Sequence, residues 1–235
     1  AVSNTDGTIT SSVSANTDAG FSIALVPGES TTTSTYGHGL GKAPEFIIRK
    51  VTNTTGGWYV WHKSLPSSDG FLRLDTTASH STTSIINGTQ PTDTLVTMTP
   101  GNAQNDDGNT IITYNFTSIE GFSKFGSYTG NGSSDGPFIY TGFRPAWVIV
   151  KNRSATSDWR IYDTSRVSIN PNNLVLYPNL TAVEATTSHP LDFLSNGFKV
   201  RGTFEDINTN AEIYIYCAFA ELPFGGENAP PVTAR

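Results

Sequence analysis

Apolar and aromatic residues in this chain fall in short, β-branched runs separated by stretches rich in Thr, Ser, Asn and Gly. Residues 45–50 and 146–151 are two such runs, each opened by Gly-x-x-Pro and followed by a turn-forming stretch, 53–57 or 152–158. A second run follows each turn, at 58–61 and 159–162, so both places predict a β-hairpin. A third strand is predicted at 71–74 and 173–177, and a closing strand at 110–116 and 211–219. No window carries the helical period of about 3.6 residues. Short strands at this spacing predict an all-β fold of antiparallel β-sandwiches or jelly rolls.

The pattern occurs twice. Gly20, Phe21, Ser22, Gly41, Pro44, Ile48, Lys50, Thr55, Trp58 and Ser64 recur as Gly121, Phe122, Ser123, Gly142, Pro145, Ile149, Lys151, Thr156, Trp159 and Ser165, always 101 residues later (121 − 20, 159 − 58). A gapless match at fixed offset marks a duplicated structural unit. The predicted organisation is a lead-in strand or linker at 1–19, a β-lobe at 20–120, a similar β-lobe at 121–224, and a flexible Gly/Pro-rich tail at 225–235. Positions kept in both copies serve the fold. Polar or aromatic positions that differ are where a single site is to be sought.

Composition narrows the function classes. Charged residues are only 14% of the chain and the formal net charge is −6, with the 14 Lys and Arg scattered, so no basic patch offers itself to a phosphate backbone and no nucleic-acid partner is predicted. No apolar run approaches the roughly 20 residues of a membrane span, so no membrane insertion is predicted. The chain opens inside a polar stretch and reads as the end of a longer protein. Its single cysteine, Cys217, lies in the apolar run 213–219 and reads as a buried, inert thiol.

Strand alternation places Trp58 with Val60, and Trp159 with Ile161, on one face of each hairpin, predicted to pack on the core. The opposite face holds Tyr59 and Trp61, continuing into His62, in copy one, and Arg160 and Tyr162, continuing into Asp163, in copy two. These six residues are the candidate binding surface, where aromatic rings stack on a sugar while polar neighbours take its hydroxyls. The competing reading of Trp61 is packing, against the other lobe or a neighbouring subunit. The carboxylates Asp69, Asp75, Asp93, Asp163, Asp192, Glu205 and Asp206 are the raw material for glycoside hydrolysis, but no pair recurs at a recognised spacing. No nucleophile elbow, phosphate-cradling loop or metal-binding histidine spacing is present, so no catalytic residue, metal or cofactor is predicted. Asp106 and Asp107 sit in an acidic turn, 105–109, whose oxygens suit calcium. It lacks the later bidentate Glu and reads as a hairpin turn.

Several phrases carry a resemblance: Gly39-Leu40-Gly41-Lys42-Ala43-Pro44-Glu45-Phe46-Ile47-Ile48, Gly126-Ser127-Tyr128-Thr129-Gly130-Asn131-Gly132, Trp147-Val148-Ile149-Val150-Lys151-Asn152-Arg153 and Ala218-Phe219-Ala220-Glu221-Leu222-Pro223-Phe224. Together they resemble the duplicated C-terminal domain of tail-fibre or tail-associated virion structural proteins of tailed bacteriophages, marine and cyanobacterial phages especially. The resemblance covers about residues 18–235. It implies a virion location on the tail or another exterior surface, other virion proteins as partners, homo-oligomerisation with a trimer favoured, and host attachment through a surface glycan or receptor. It supplies no catalytic or ligand residues. One departure is the stretch 24–29, Ala-Leu-Val-Pro-Gly-Glu, where the family's Tyr-Thr-Gly-x-Gly turn is expected. The expected function is therefore a non-enzymatic phage structural protein. The alternatives are a purely architectural capsid-decoration or baseplate subunit, and a glycan-degrading enzyme.

Overall fold

The computed structural model describes residues 1–66, 70–83, 85–101 and 105–222. Asp69, the end of the second copy at Phe224 and the tail 225–235 lie outside these residues. Every regular element described is a β-strand and every named strand pairing is antiparallel, so the all-β expectation holds. The chain divides into two compact units. Unit one comprises Ala1–Leu74 and His80–Thr117; unit two takes Asp75–Ser79 and the chain from Ser118 onward.

Unit one contains β1 (Val2–Asn4), β2 (Ser11–Asn16), β3 (Phe21–Pro27), β4 (Ser34–Gly37), β5 (Phe46–Val51), β6 (Tyr59–His62), β7 (Leu72–Arg73), β8 (Leu95–Met98) and β9 (Thr110–Phe116). Seven of these form one sheet in the order β1-β2-β3-β9-β5-β6-β7, and β4 pairs with β8. Alternation along the three central strands produces rows of inward side chains: Val26, Ile111 and Val51; Ala24, Thr113 and Arg49; Ser22, Asn115 and Ile47. Two of the rows carry polar groups, and most of their polar atoms are bonded internally as burial demands. Tyr36 donates its hydroxyl to Asn115 Oδ1 at 2.8 Å, and Asn115 Nδ2 donates to Thr113 Oγ1 at 3.2 Å. Arg49, 1% exposed, donates to the Ile85 carbonyl at 2.5 Å and lies 5.6 Å above the Tyr36 ring.

Unit two contains β10 (Ser123–Thr129), β11 (Asp135–Tyr140), β12 (Pro145–Asn152), β13 (Arg160–Asp163), β14 (Asn172–Val175), β15 (Ala185–Leu194), β16 (Gly197–Arg201) and β17 (Ile213–Ala220). They form two four-stranded sheets, β10-β17-β12-β13 and β11-β16-β15-β14. One core joins both sheets, with Tyr128, Val148, Val150, Tyr162, Tyr214 and Tyr216 from the first and Ile139, Val175, Leu191, Phe193, Phe198 and Val200 from the second. That is sandwich packing, two inner faces meeting over shared apolar contacts.

The sequence repeat corresponds to a repeated strand order, β3-β9-β5-β6 in unit one and β10-β17-β12-β13 in unit two. Hairpin register is the same in both: Phe46 faces His62 and Trp147 faces Asp163, each offset by 101 (147 − 46, 163 − 62). The aromatic pair across the next interface is also kept, Phe46–Phe116 at 5.6 Å and Trp147–Phe219 at 5.7 Å. The outer contact shifts by one residue. Phe21 faces Phe116, whereas Ser123, and not Phe122, faces Phe219.

The lysine kept in both copies clamps the hairpin turn. Lys50 Nζ donates to the Gly56 carbonyl, and Lys151 Nζ donates to the equivalent Ser157 carbonyl at 2.9 Å, six residues on in each case. In unit two the ammonium also donates to Ser157 Oγ at 3.2 Å and to the Thr77 carbonyl at 3.1 Å, using all three of its protons. Lys151 is fully buried, and burial pulls its pKa down to about 8 against the pull of Asp206 and Asp158. A cation whose folded pKa lies below its unfolded one makes the protein more stable as pH rises through that interval. From pH 7 to pH 9, wild type is expected to gain about 1 kcal/mol of unfolding free energy relative to Lys151→Met, a difference readable by urea denaturation at the two pH values. Parallel curves for the two proteins would refute it.

Candidate functional site

The six hairpin residues expected to form an exposed binding face do not form one. Trp61 is 1% exposed, His62 0%, Tyr162 0% and Arg160 4%. Tyr59 and Asp163 are half-buried. The pleat runs one residue out of phase with the expectation: Tyr162, with Val148 opposite it, belongs to the core of unit two, while Ile161 is half-buried. Trp58, expected inside, precedes β6 and is 36% exposed, although its counterpart Trp159 is buried. Aromatic residues stand on both faces of each hairpin, so alternation alone does not identify the inner one. The burial of Val60 together with Trp61 shows that both faces of β6 are covered.

Four of the six are tied to named neighbours in the fold. Tyr59 packs on Phe71 at 4.9 Å with the Arg73 guanidinium 5.2 Å from its ring. His62 accepts from the Ser64 amide through Nδ1 at 3.0 Å. Tyr162 donates to the His189 carbonyl at 2.9 Å, and burial pushes its pKa up to about 12. Asp163 accepts from Arg166 Nε at 2.5 Å. In the acidic turn, Asp107 accepts from the Ser30 amide and Asn105 from the Glu29 amide, both at 2.9 Å, so that turn pins the chain after β3. Among the described residues no cluster of three or more His, Cys, Asp or Glu is placed to hold a metal ion.

Of the six, Arg160 borders a cleft, and the cleft is the candidate site. Its volume is about 330 Å³, and Thr77, Thr156, Ser157, Asp158, Arg160, Phe204, Glu205 and Asp206 line it. Arg160 opens β13 with its side chain pinned on several sides. Its Nε and Nη2 both donate to Asp206 Oδ2, at 2.9 and 2.6 Å, and its Nη1 donates to Thr187 Oγ1 at 3.1 Å. The guanidinium also lies 5.4 Å from the Tyr177 ring and 5.2 Å from the Phe204 ring. Phe204 in turn stacks on His189 at 4.2 Å, and burial, followed by the Arg160 charge, lowers the His189 pKa. Asp158 is held by Asn179 Nδ2 at 2.7 Å, and its own amide donates to Asp206 Oδ1 at 3.2 Å.

The cleft therefore presents carboxylates, a guanidinium and hydroxyls in fixed positions, with the half-exposed Phe204 as an apolar wall. A space of this size, with polar groups held by second partners, suits a saccharide-sized polar ligand. Asp158 and Phe204 are absent from the sequence-level candidates. Phe204 does have a signal, as the lone aromatic in the polar stretch 202–206. Asp158 has none, since it sits in a turn-like composition.

No helix among the described residues is long and apolar enough to cross a membrane. Neither a curated protein nor a solved structure matches the chain. One family model does, a domain of unknown function, over residues 1–223. With nearly its whole length matched, the chain belongs to the DUF7483 family.

Proposed function

We propose that the protein is a non-enzymatic structural component of a tailed-bacteriophage virion that contacts host-surface glycan through the cleft of unit two. The observation that carries the binding part is the cleft itself, in which Arg160, Asp158 and Asp206 are immobilised beside the Phe204 wall. Groups fixed before the ligand arrives lose little entropy on binding, which suits recognition of a rigid, hydroxylated ring. The two carboxylates of known partnership, Asp158 and Asp206, are committed to Asn179 and Arg160, an arrangement that favours positioning over proton transfer. The virion assignment rests on the sequence resemblance, as does the favoured trimer. Several copies per particle would raise weak single-site affinity.

A glycan array probed with the purified chain tests the reading. Glu205→Ala and Phe204→Ala are expected to abolish capture of the neutral glycans the wild type retains while leaving the melting curve close to wild type, since both side chains are exposed. Equal capture by wild type and both variants would overturn the cleft as the site. Release of reducing ends from a captured polysaccharide would favour a glycan-degrading enzyme instead, and capture of nothing would favour a purely architectural subunit.

A further inference from the structure

Unit two has a second surface with ligand-like chemistry, on the outer face of the β11-β16-β15 strands. Phe138 and Tyr140 stand two apart on β11 and are 45% and 59% exposed. Phe138 faces Lys199 and Tyr140 faces Gly197 across the β11–β16 pair. Gly197 leaves β16 without a side chain beside the rings. A Cβ there would come within 2.9 Å of Phe138 Cε2, so the Phe138 ring lies across β16 over that glycine. Strand addition at the free edge of β11 is disfavoured by Pro137, which lacks an amide proton. The rings are therefore presented for face contact and the backbone is not.

The charges beside the rings are basic where they are free. Lys124 Nζ lies 5.1 Å from the Tyr140 ring and donates to the Tyr140 carbonyl at 3.2 Å; among the described residues it meets no carboxylate. Lys199 and Arg201 share Asp135, at 2.9 and 3.2 Å, and Arg201 also reaches Asp192 at 2.5 Å. Three cations thus stand beside two carboxylates on this face, Lys199 and Arg201 paired with them and Lys124 in surplus, in a chain whose formal net charge is −6. A surplus of positive charge around two exposed rings, on an otherwise acidic protein, is complementary to a ligand that joins apolar ring faces to carboxylates.

We propose that this face binds acidic polysaccharide: a uronic-acid ring stacks on Phe138 and Tyr140, and its carboxylate pairs with Lys124 and Lys199. The proposal rests on the glycan-attachment reading for its biological setting, but it uses none of the cleft residues.

Affinity electrophoresis against oligogalacturonate and its carboxyl-reduced neutral counterpart decides it. Wild type is expected to be retarded by the acidic oligomer, less so as salt rises, and much less by the neutral one. Tyr140→Ala and Lys124→Met are each expected to weaken retardation by roughly tenfold. Glu205→Ala and Phe204→Ala leave it unchanged, and all four variants keep the wild-type melting curve. Unchanged retardation in Tyr140→Ala and Lys124→Met would overturn this inference while leaving the cleft untouched. Loss in Glu205→Ala and Phe204→Ala alone would place acidic glycan in the cleft and overturn it too. A shift from oligomer to monomer in Tyr140→Ala, seen by light scattering, would make the face a contact with a second copy and overturn it as well.

Discussion

Replacing Trp61 with alanine is expected to lower the unfolding free energy by about 3–5 kcal/mol, the range for removing a buried large aromatic side chain. Trp61 is 1% exposed and faces Ile47, itself fully buried, across the β5–β6 pair. Deleting the indole leaves a void that the surrounding strands fill only in part. The indole Nε1 is buried without a hydrogen-bond partner among the described residues, so part of the packing gain is already offset by an unmet donor. Trp61→Phe keeps most of the ring contact and removes that donor, and its cost is expected to be clearly smaller than that of alanine. Urea denaturation of the three proteins measures both effects. Were Trp61→Ala to unfold at the wild-type midpoint and lose only ligand capture, Trp61 would be a surface platform and the burial described above would be wrong.

Replacing Asp206 with alanine is expected to cost about as much, roughly 3–5 kcal/mol, for an electrostatic reason. The side chains of Arg160 and Asp206 are 4% and 5% exposed, and their shortest contact is 2.6 Å. Without the carboxylate, a buried guanidinium keeps Thr187, two aromatic rings and the neighbouring Tyr162, but no carboxylate partner among the described residues. Those contacts do not replace the hydration it gave up on folding. The cost belongs to the unpaired partner more than to the pair. The double variant Arg160→Met/Asp206→Leu, which buries neither charge, is therefore expected to recover most of the loss. If the double variant were as unstable as the sum of the two single ones, the pair would be contributing independently through packing. The same substitutions bear on the cleft, since both residues line it, so stability has to be measured before any loss of glycan capture is attributed to contact with ligand.

Much of the scaffold was legible before any coordinates. The closing strand of copy one is predicted at 110–116 and found there as β9. Both hairpins occur where turn-forming stretches separate β-branched runs, because composition and short-range geometry suffice to place a turn. The repeat is legible for the same reason it exists: Gly41 needs a positive φ of 68° and Gly142 one of 90°, and Lys50 and Lys151 reach back to the turn carbonyl of their own hairpins. These are local requirements, satisfied within a dozen residues of chain, so they leave a fixed-offset trace.

The candidate site was only partly legible. Arg160 was singled out as polar where its copy-one counterpart Tyr59 is aromatic, and it does border the cleft. Its reading as an outward residue was wrong, because the partner that makes its burial possible, Asp206, lies 46 residues further along the chain. Val150, its neighbour across the hairpin, says nothing about a distant carboxylate. The burial of Tyr162 has a related cause, and for Trp61 the structure bears out the packing reading. Both hairpin faces carry aromatic residues, and the inner one is chosen by what comes to lie over it: Phe193, Phe198 and Val200 from the second sheet in unit two, strands whose own sequence pattern is unremarkable. Phe138 and Tyr140 show the converse case, an aromatic side of β11 left to solvent while Ile139 between them joins the core.

The amino-acid sequence by itself determined the all-β class, the turns that close both hairpins and the duplication, all of which follow from backbone preferences and contacts near in sequence. Only the tertiary structure decided which face of each hairpin is core, which charges are paired inside and which rings are left outside. Those outcomes depend on burial, and burial is a property of the segments that meet in space, which no single strand encodes.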